Sequence, residues 1–336
     1  MTDPSSAGAL SGGAAVVAGA GRAVVGVGGA DRASWLQGLV TNDIVALAPG
    51  RGCYTAWLTP QGRMVTDAIV LAGADRLTVE VPAVVGDQVY GRLDAAIFAE
   101  DVQLDDQRQA WTWIGAHGTA AAAIVARALA AGDGLSPSPD ATVLSAWPEY
   151  AHLALPDGGR LFRHDSYGAP GFVFRVAPDA AAGWSSRLRE AGAVAVAAAD
   201  LEWARIEAGR PEFGVDMRAD TIPLEAGIEE RAISFTKGCY VGQEVIVRVV
   251  HRGGGRVARR LVGLRVAGAR VPAAGAPIRQ AGQEVGTVTS AAHSPRLGHP
   301  VALGYVRREL VEPGAAVTID CDGTTVPATV SALPIG

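Results

Sequence analysis

The chain changes texture at one place, the basic, glycine-rich phrase HRGGGR at 251–256. Beyond it the residues fall into short apolar runs separated by turn formers: RRLVGLRVAG, APIRQAGQEVGTVTSAAHSP, VALGYVRREL and AAVTIDCDGTTVPATV. Strand-length runs at regular spacing, each too short to hide its edges alone, predict a small closed all-β barrel over 257–336. HRGGGRVARR itself has the charge to grip an anionic tail or RNA phosphates, but reads first as a linker.

Upstream, helical and strand patterns alternate. RAVVGVGG (22–29) reads as a strand, and DRASWLQGLVTND as a helix with Asp31 at its N-cap and Trp35, Leu36, Leu39 and Val40 on one face. CYTAWLTPQGRMVTDAIVL predicts a hairpin turning at Pro60-Gln61-Gly62. RLTVEVP and GFVFRV read as strands, while DQVYGRLDAAIFAEDV and ADLEWARIEAGRPEFGVDM begin as helices. The expected class is α+β, two α+β domains plus the barrel. Residues 1–20, mostly Ser, Gly and Ala, are expected to form a flexible tail. The first domain is expected over 21–135 interleaved with 195–250, and the second over 136–194, with the loop GDGLSPSPDAT (132–142) between lobes.

Composition narrows the function classes. Hydrophobic residues make up 49% of the 336 and charged residues 19%, enough for a large core. The formal net charge of −5 argues against strong electrostatic nucleic-acid binding. No apolar run reaches the ~18 residues of a membrane span, and no basic residue precedes Arg22, so no membrane association and a cytoplasmic location are expected. Cys53, Cys239 and Cys321 are too sparse for a disulfide framework and lack zinc spacing, so no tightly bound metal is expected. A dinucleotide motif fails, because Gly19 and Gly21 are followed by Val24 where a third glycine belongs.

The phrase FTKGCYVGQEVIVR (235–248) is the strongest chemical signal. Lys237 places a cation near the Cys239 sulfur, and a helix starting near Gly242 would add its N-terminal dipole; both favour thiolate. Such a sulfur serves as nucleophile, metal ligand or redox group. Packing is the alternative for a lone cysteine, and EVIVRVV taken alone has strand propensity. Two acids, Asp67 and Glu225, are candidates for holding a flat heterocycle with adjacent N–H donors, such as a pterin; cap or turn roles are the alternative.

KGCYVGQE, with GADRASWLQGLVTNDI, YTAWLTPQGRMVTDAIV, RIEAGRPEFGVDM and IPLEAGIEERAISF, resembles the YgfZ-like folate-binding proteins, relatives of the glycine-cleavage T-protein (aminomethyltransferase). The resemblance runs from about Arg22 to the end. It implies a three-domain ring, tetrahydrofolate or a derivative in a central channel, and a helix after Cys239. On the matching phrases it implies Cys239 and Lys237 as reactive residues. It implies Asp67, Thr66, Gln37, Asn42, Tyr54, Glu225, Tyr240, Gln243, Glu244 and Arg248 as folate-binding ones. It also implies iron–sulfur client enzymes, tRNA-modifying ones among them, as partners. Two departures stand out. T-proteins carry an acidic pair where this chain has Thr66-Asp67, and an acid-bearing phrase where it has SYGAPGFVF (166–174). The expectation is therefore a tetrahydrofolate-binding factor for iron–sulfur cluster assembly or repair acting through Cys239, not a conventional turnover enzyme. The alternatives are a folate-dependent one-carbon (aminomethyl) transferase or demethylase, and a folate-binding domain with only a structural role.

Overall fold

A computed structural model describes residues 4–19, 21–132, 135, 137–252 and 254–336. Residues 1–3 and 20 of the expected tail, 133, 134 and 136 of the expected loop, and 253 of the linker lie outside the described residues. Two sheets and a closed barrel organise the chain. The first sheet runs, edge to edge, Val194–Ala195, Ala15–Gly19, Thr112–His117, Gly171–Val176, Arg160–Arg163, His152–Ala154. The second runs Arg51–Leu58, Met64–Ala72, Leu77–Val81, Ala23–Gly28, Gln103–Asp106. The barrel closes in the order Arg259–Val266, His299–Arg307, Gln283–Ser294, Pro277–Gln280, Ala316–Cys321, Thr324–Ser331. The α+β class and the C-terminal barrel are as the sequence predicts.

Two expectations are corrected. Residues 4–19 are no loose tail: Pro4–Gly12 is a helix and Ala15–Gly19 an interior strand, paired with Thr112–His117 and Val194–Ala195. The low-complexity look misled because small residues also suit close packing. Ala14 to Val17 are buried, and Ala9 and Leu10 pack against Leu201 and Trp203. The division at 135 also fails as a sheet boundary, because Thr112–His117 pairs along its whole length with Gly171–Val176.

The two sheets face one another across a shared core in which Tyr54, Ile69 and Leu71 of one meet Phe162 and Val173 of the other. Their outer faces are covered by helices Ala121–Ala130 and Ala181–Glu190 on one side, Arg32–Leu39 and Gly86–Asp94 on the other. Asp31 precedes the second pair's first helix, but its carboxylate accepts from the Asp101 backbone N–H and gives the helix no side-chain cap. A buried Arg175–Glu80 pair at 2.6 Å bridges the sheets.

One irregularity in the hairpin sets the site. The Leu58–Met64 pairing is offset from Trp57–Thr66 by a bulge, which leaves Val65 without a cross-strand partner. Side chains alternate sides beyond such a bulge. Asp67, Ile69 and Leu71 therefore share the inter-sheet face, while Thr66 points the other way.

Gln243–Arg252 is a helix, as the resemblance implies and against local strand propensity. Ile246 is buried and Val249 and Val250 pack beside it, a helical stripe that tertiary burial rewards over β-branching. Its start is seated on the hairpin turn. A Cβ at Gly242, whose φ is +84°, would lie 2.5 Å from the Thr59 carbonyl, and one at Gly62 would lie 2.8 Å from Val245.

Candidate functional site

Between the sheets lies a cavity of about 460 Å³. Asp67 forms part of its wall, 4% exposed, and accepts hydrogen bonds from the Tyr54 hydroxyl at 2.9 Å and Arg22 Nη2 at 3.2 Å. Burial first, then Asp67 itself, pushes the Tyr54 phenol well above its usual range, so it stays protonated and donates. Arg22 also donates to the Glu80 carbonyl, which fixes it. Arg231, also in the cavity wall, lies over the Tyr54 ring, 4.8 Å from its centroid, and donates to the Tyr150 hydroxyl at 3.2 Å. Trp113, His117 and His164 project from the facing sheet and its margin.

Several buried polar atoms of these lining residues have no protein partner: Arg22 Nε, Trp113 Nε1, His117 Nδ1 and Arg231 Nε. Buried polar groups are ordinarily satisfied, so a cluster of orphans around one space marks a ligand site. The carboxylate of Asp67 retains lone pairs beyond the two bonds it accepts. The combination fits a flat heterocycle that offers N–H donors to Asp67 and acceptors to the arginines and indole.

Of the residues singled out from sequence, Asp67 and Tyr54 meet in this cavity. Thr66 does not line it; its hydroxyl donates to the Asp67 carbonyl. Gln37 and Asn42 are scaffolding. Gln37 Oε1 accepts from Ile44 N at 2.6 Å, and Asn42 Nδ2 donates to the carbonyls of Tyr54 and Arg231. Glu225 is buried beside the barrel, where it pairs with Arg259 at 3.2 Å. Tyr240 is core, Gln243 starts the following helix, and Glu244 pairs with Arg248 on that helix's exposed face.

Lys237 has other partners than a cation set beside Cys239 would need. Lys237 Nζ donates to three carbonyls, those of Gln37 at 2.6 Å, Val40 at 2.6 Å and Asn42 at 2.9 Å, which uses all its protons. Burial lowers its pKa to about 8, while Asp43 and Cys53 oppose the drop. The cysteine in its field is Cys53, whose thiol burial nonetheless pushes up to about 12. Cys239 is exposed, four residues ahead of the helix. Among the described residues no cluster of three or more His, Cys, Asp or Glu could hold a metal ion, and no helix is long and apolar enough to cross a membrane.

Sequence reasoning missed Arg22, Trp113, His117, His164 and Arg231. Arg231 stood inside the quoted phrase IPLEAGIEERAISF, which was its one available signal.

Residues 22–237 match the GCVT N-terminal domain and residues 259–335 the glycine cleavage T-protein C-terminal barrel domain. The chain is 30% identical over 307 residues to an aminomethyltransferase of Nostoc sp., an alignment covering 90% of this chain and 79% of that one. It is 31% identical over 320 residues to an aminomethyltransferase of Streptomyces coelicolor, covering 92% and 82%. The crystal structure of the glycine cleavage system aminomethyltransferase T from Bartonella henselae superimposes with a TM-score of 0.84 at 21% identity, covering 96% of this chain and 86% of that one. The chain belongs to the glycine cleavage T-protein family, a family that uses tetrahydrofolate, and has its fold.

Proposed function

We propose that this chain is a tetrahydrofolate-dependent one-carbon transferase, with the folate ring in the cavity against Asp67. The observation that carries the reading is the buried Asp67 carboxylate, held by Tyr54 and Arg22 inside a cavity whose remaining polar atoms lack partners. The relatives named aminomethyltransferase point the same way. When bound, tetrahydrofolate supplies amine nitrogens that take up a one-carbon unit. Asp67 would hold the ring by accepting its N–H groups and would supply negative charge beside the folate amines. Tyr54 and Arg22 fix the carboxylate's position, and Arg231 closes the cavity over Tyr54.

The departure at position 66 does not disqualify this role. Thr66 and Asp67 are consecutive in a strand and face opposite sides, so an acid at 66 would not reach the cavity. Calorimetry should show tetrahydrofolate binding, and incubation with an aminomethyl donor should yield methylene-folate. Binding without any one-carbon turnover would reject the transferase reading.

A second reading has its own observation. Cys239 is solvent-exposed within KGCYVGQE, a position suited to reaching a protein client in iron–sulfur assembly or repair. Under that reading a deletion strain loses iron–sulfur enzyme activities and keeps one-carbon flux.

A further inference from the structure

His164 enters the cavity wall from the end of strand Arg160–Arg163. Its ring is caged by Trp113, Tyr150 and Phe162, with centroid separations of 5.9, 5.7 and 6.2 Å. Its Nδ1 is buried and lies 3.6 Å from Glu149 Oε1. Glu149 is flanked by Arg210 at 3.4 Å and Arg231 at 4.0 Å. Burial alone would raise its carboxyl, but His164, Arg210 and Arg231 hold it down to about 2, so it is a carboxylate at neutral pH.

A carboxylate beside Nδ1 selects the Nδ1–H tautomer, which leaves the lone pair on Nε2. Burial lowers the pKa of His164; Glu149 opposes this, while Arg22 and Arg231 add to it, and the ring is neutral at pH 7. His117, also in the cavity, is likewise neutral. The segment that follows, 166–174, contributes Ser166, Tyr167 and Val173 to the wall and no acid. With Nδ1 beside Glu149, His164 offers Nε2 as an acceptor.

We propose that His164 is a specificity-determining residue that reads the oxidation state of the folate ring, its Nε2 accepting a hydrogen bond from a ring N–H present only in the reduced form. The inference rests on the folate reading of the cavity. Reduction of the pyrazine half of a pterin places hydrogens on its two nitrogens. In the oxidised ring those nitrogens carry lone pairs, which would face the Nε2 lone pair with no proton between them. A site built to hydrogen-bond an N–H discriminates strongly against the analogue that lacks it.

The test is calorimetric titration of the full chain with tetrahydrofolate under anaerobic reductant and, separately, with folic acid. The wild type should favour tetrahydrofolate by about tenfold to a hundredfold. His164→Phe keeps the aromatic volume and removes the acceptor, and should bring the two affinities to within about threefold. His164→Gln restores an acceptor oxygen and should recover part of the preference. Equal wild-type affinities, or an unchanged ratio in a folded His164→Phe, would overturn the inference and leave the folate reading standing. Absence of binding by both ligands would overturn both. Nitrogen-15 NMR of the wild type gives a check free of variants. The Nε2 resonance should shift on adding tetrahydrofolate and not on adding folic acid, and an identical response to both would also overturn the inference.

Discussion

His117 offers a quantitative test of how the cavity wall is built. It ends strand Thr112–His117, and its ring occupies a slot made by two glycines. A Cβ at Gly115 would lie 2.3 Å from Nε2, and one at Gly171 would lie 2.2 Å from Nδ1. The ring meets Tyr167 edge-on at 4.8 Å. Burial, with His164 adding to it, lowers the His117 pKa from 6.5 to about 3. The folded state therefore favours the neutral ring. The resulting stability is fully present above the unfolded value near 6.5 and is lost as pH falls from there toward the folded value. The whole shift corresponds to about 4–5 kcal/mol, of which about 2 kcal/mol is gone by about pH 5. His152, lowered to about 4, adds to the wild-type slope, so a variant is needed to isolate His117. His117→Phe keeps a ring in the slot and has nothing to protonate. Urea unfolding at about pH 7.5 and about pH 5 should show the wild type losing about 2 kcal/mol more than the variant. Parallel losses in the two proteins would refute the claim that the slot enforces a neutral imidazole.

Three further outcomes are expected. Asp67→Asn should weaken tetrahydrofolate binding by at least about tenfold in calorimetry, since the amide presents an N–H where the ring also donates; equal affinities would remove Asp67 from the site. Lys237→Met should cost about 3 kcal/mol in urea unfolding, because it leaves the carbonyls of Gln37, Val40 and Asn42 unpaired, and should leave the Cys239 alkylation rate unchanged. A variant of wild-type stability with slowed alkylation would restore the thiol-activating role. Cys239→Ser should keep its midpoint of unfolding, since the side chain is exposed; failure of this variant to restore iron–sulfur enzyme activity in a deletion strain would favour the second functional reading, and full complementation would remove it.

The barrel was legible because its signal is local: period-two strands and turn residues lie next to each other in sequence, and closure follows from their number. The cavity was not, because its polar residues come from distant segments. Arg22 precedes one strand, Tyr54 and Asp67 sit on the two strands of a hairpin and hydrogen-bond through their side chains, Trp113, His117 and His164 belong to the opposite sheet and its margin, and Arg231 comes from the helical segment before KGCYVGQE. Only the facing of two sheets brings them together, and no spacing rule encodes that. The quoted phrases nevertheless pointed at the right structure one layer out. Asn42 donates to the carbonyls of Tyr54 and Arg231, two residues that line the cavity. Its own carbonyl accepts from Lys237. The lysine of the most specific motif therefore holds the loop that holds the site. A motif can be tied to function through such a chain of backbone carbonyls without its charged residue touching a ligand or the neighbouring sulfur.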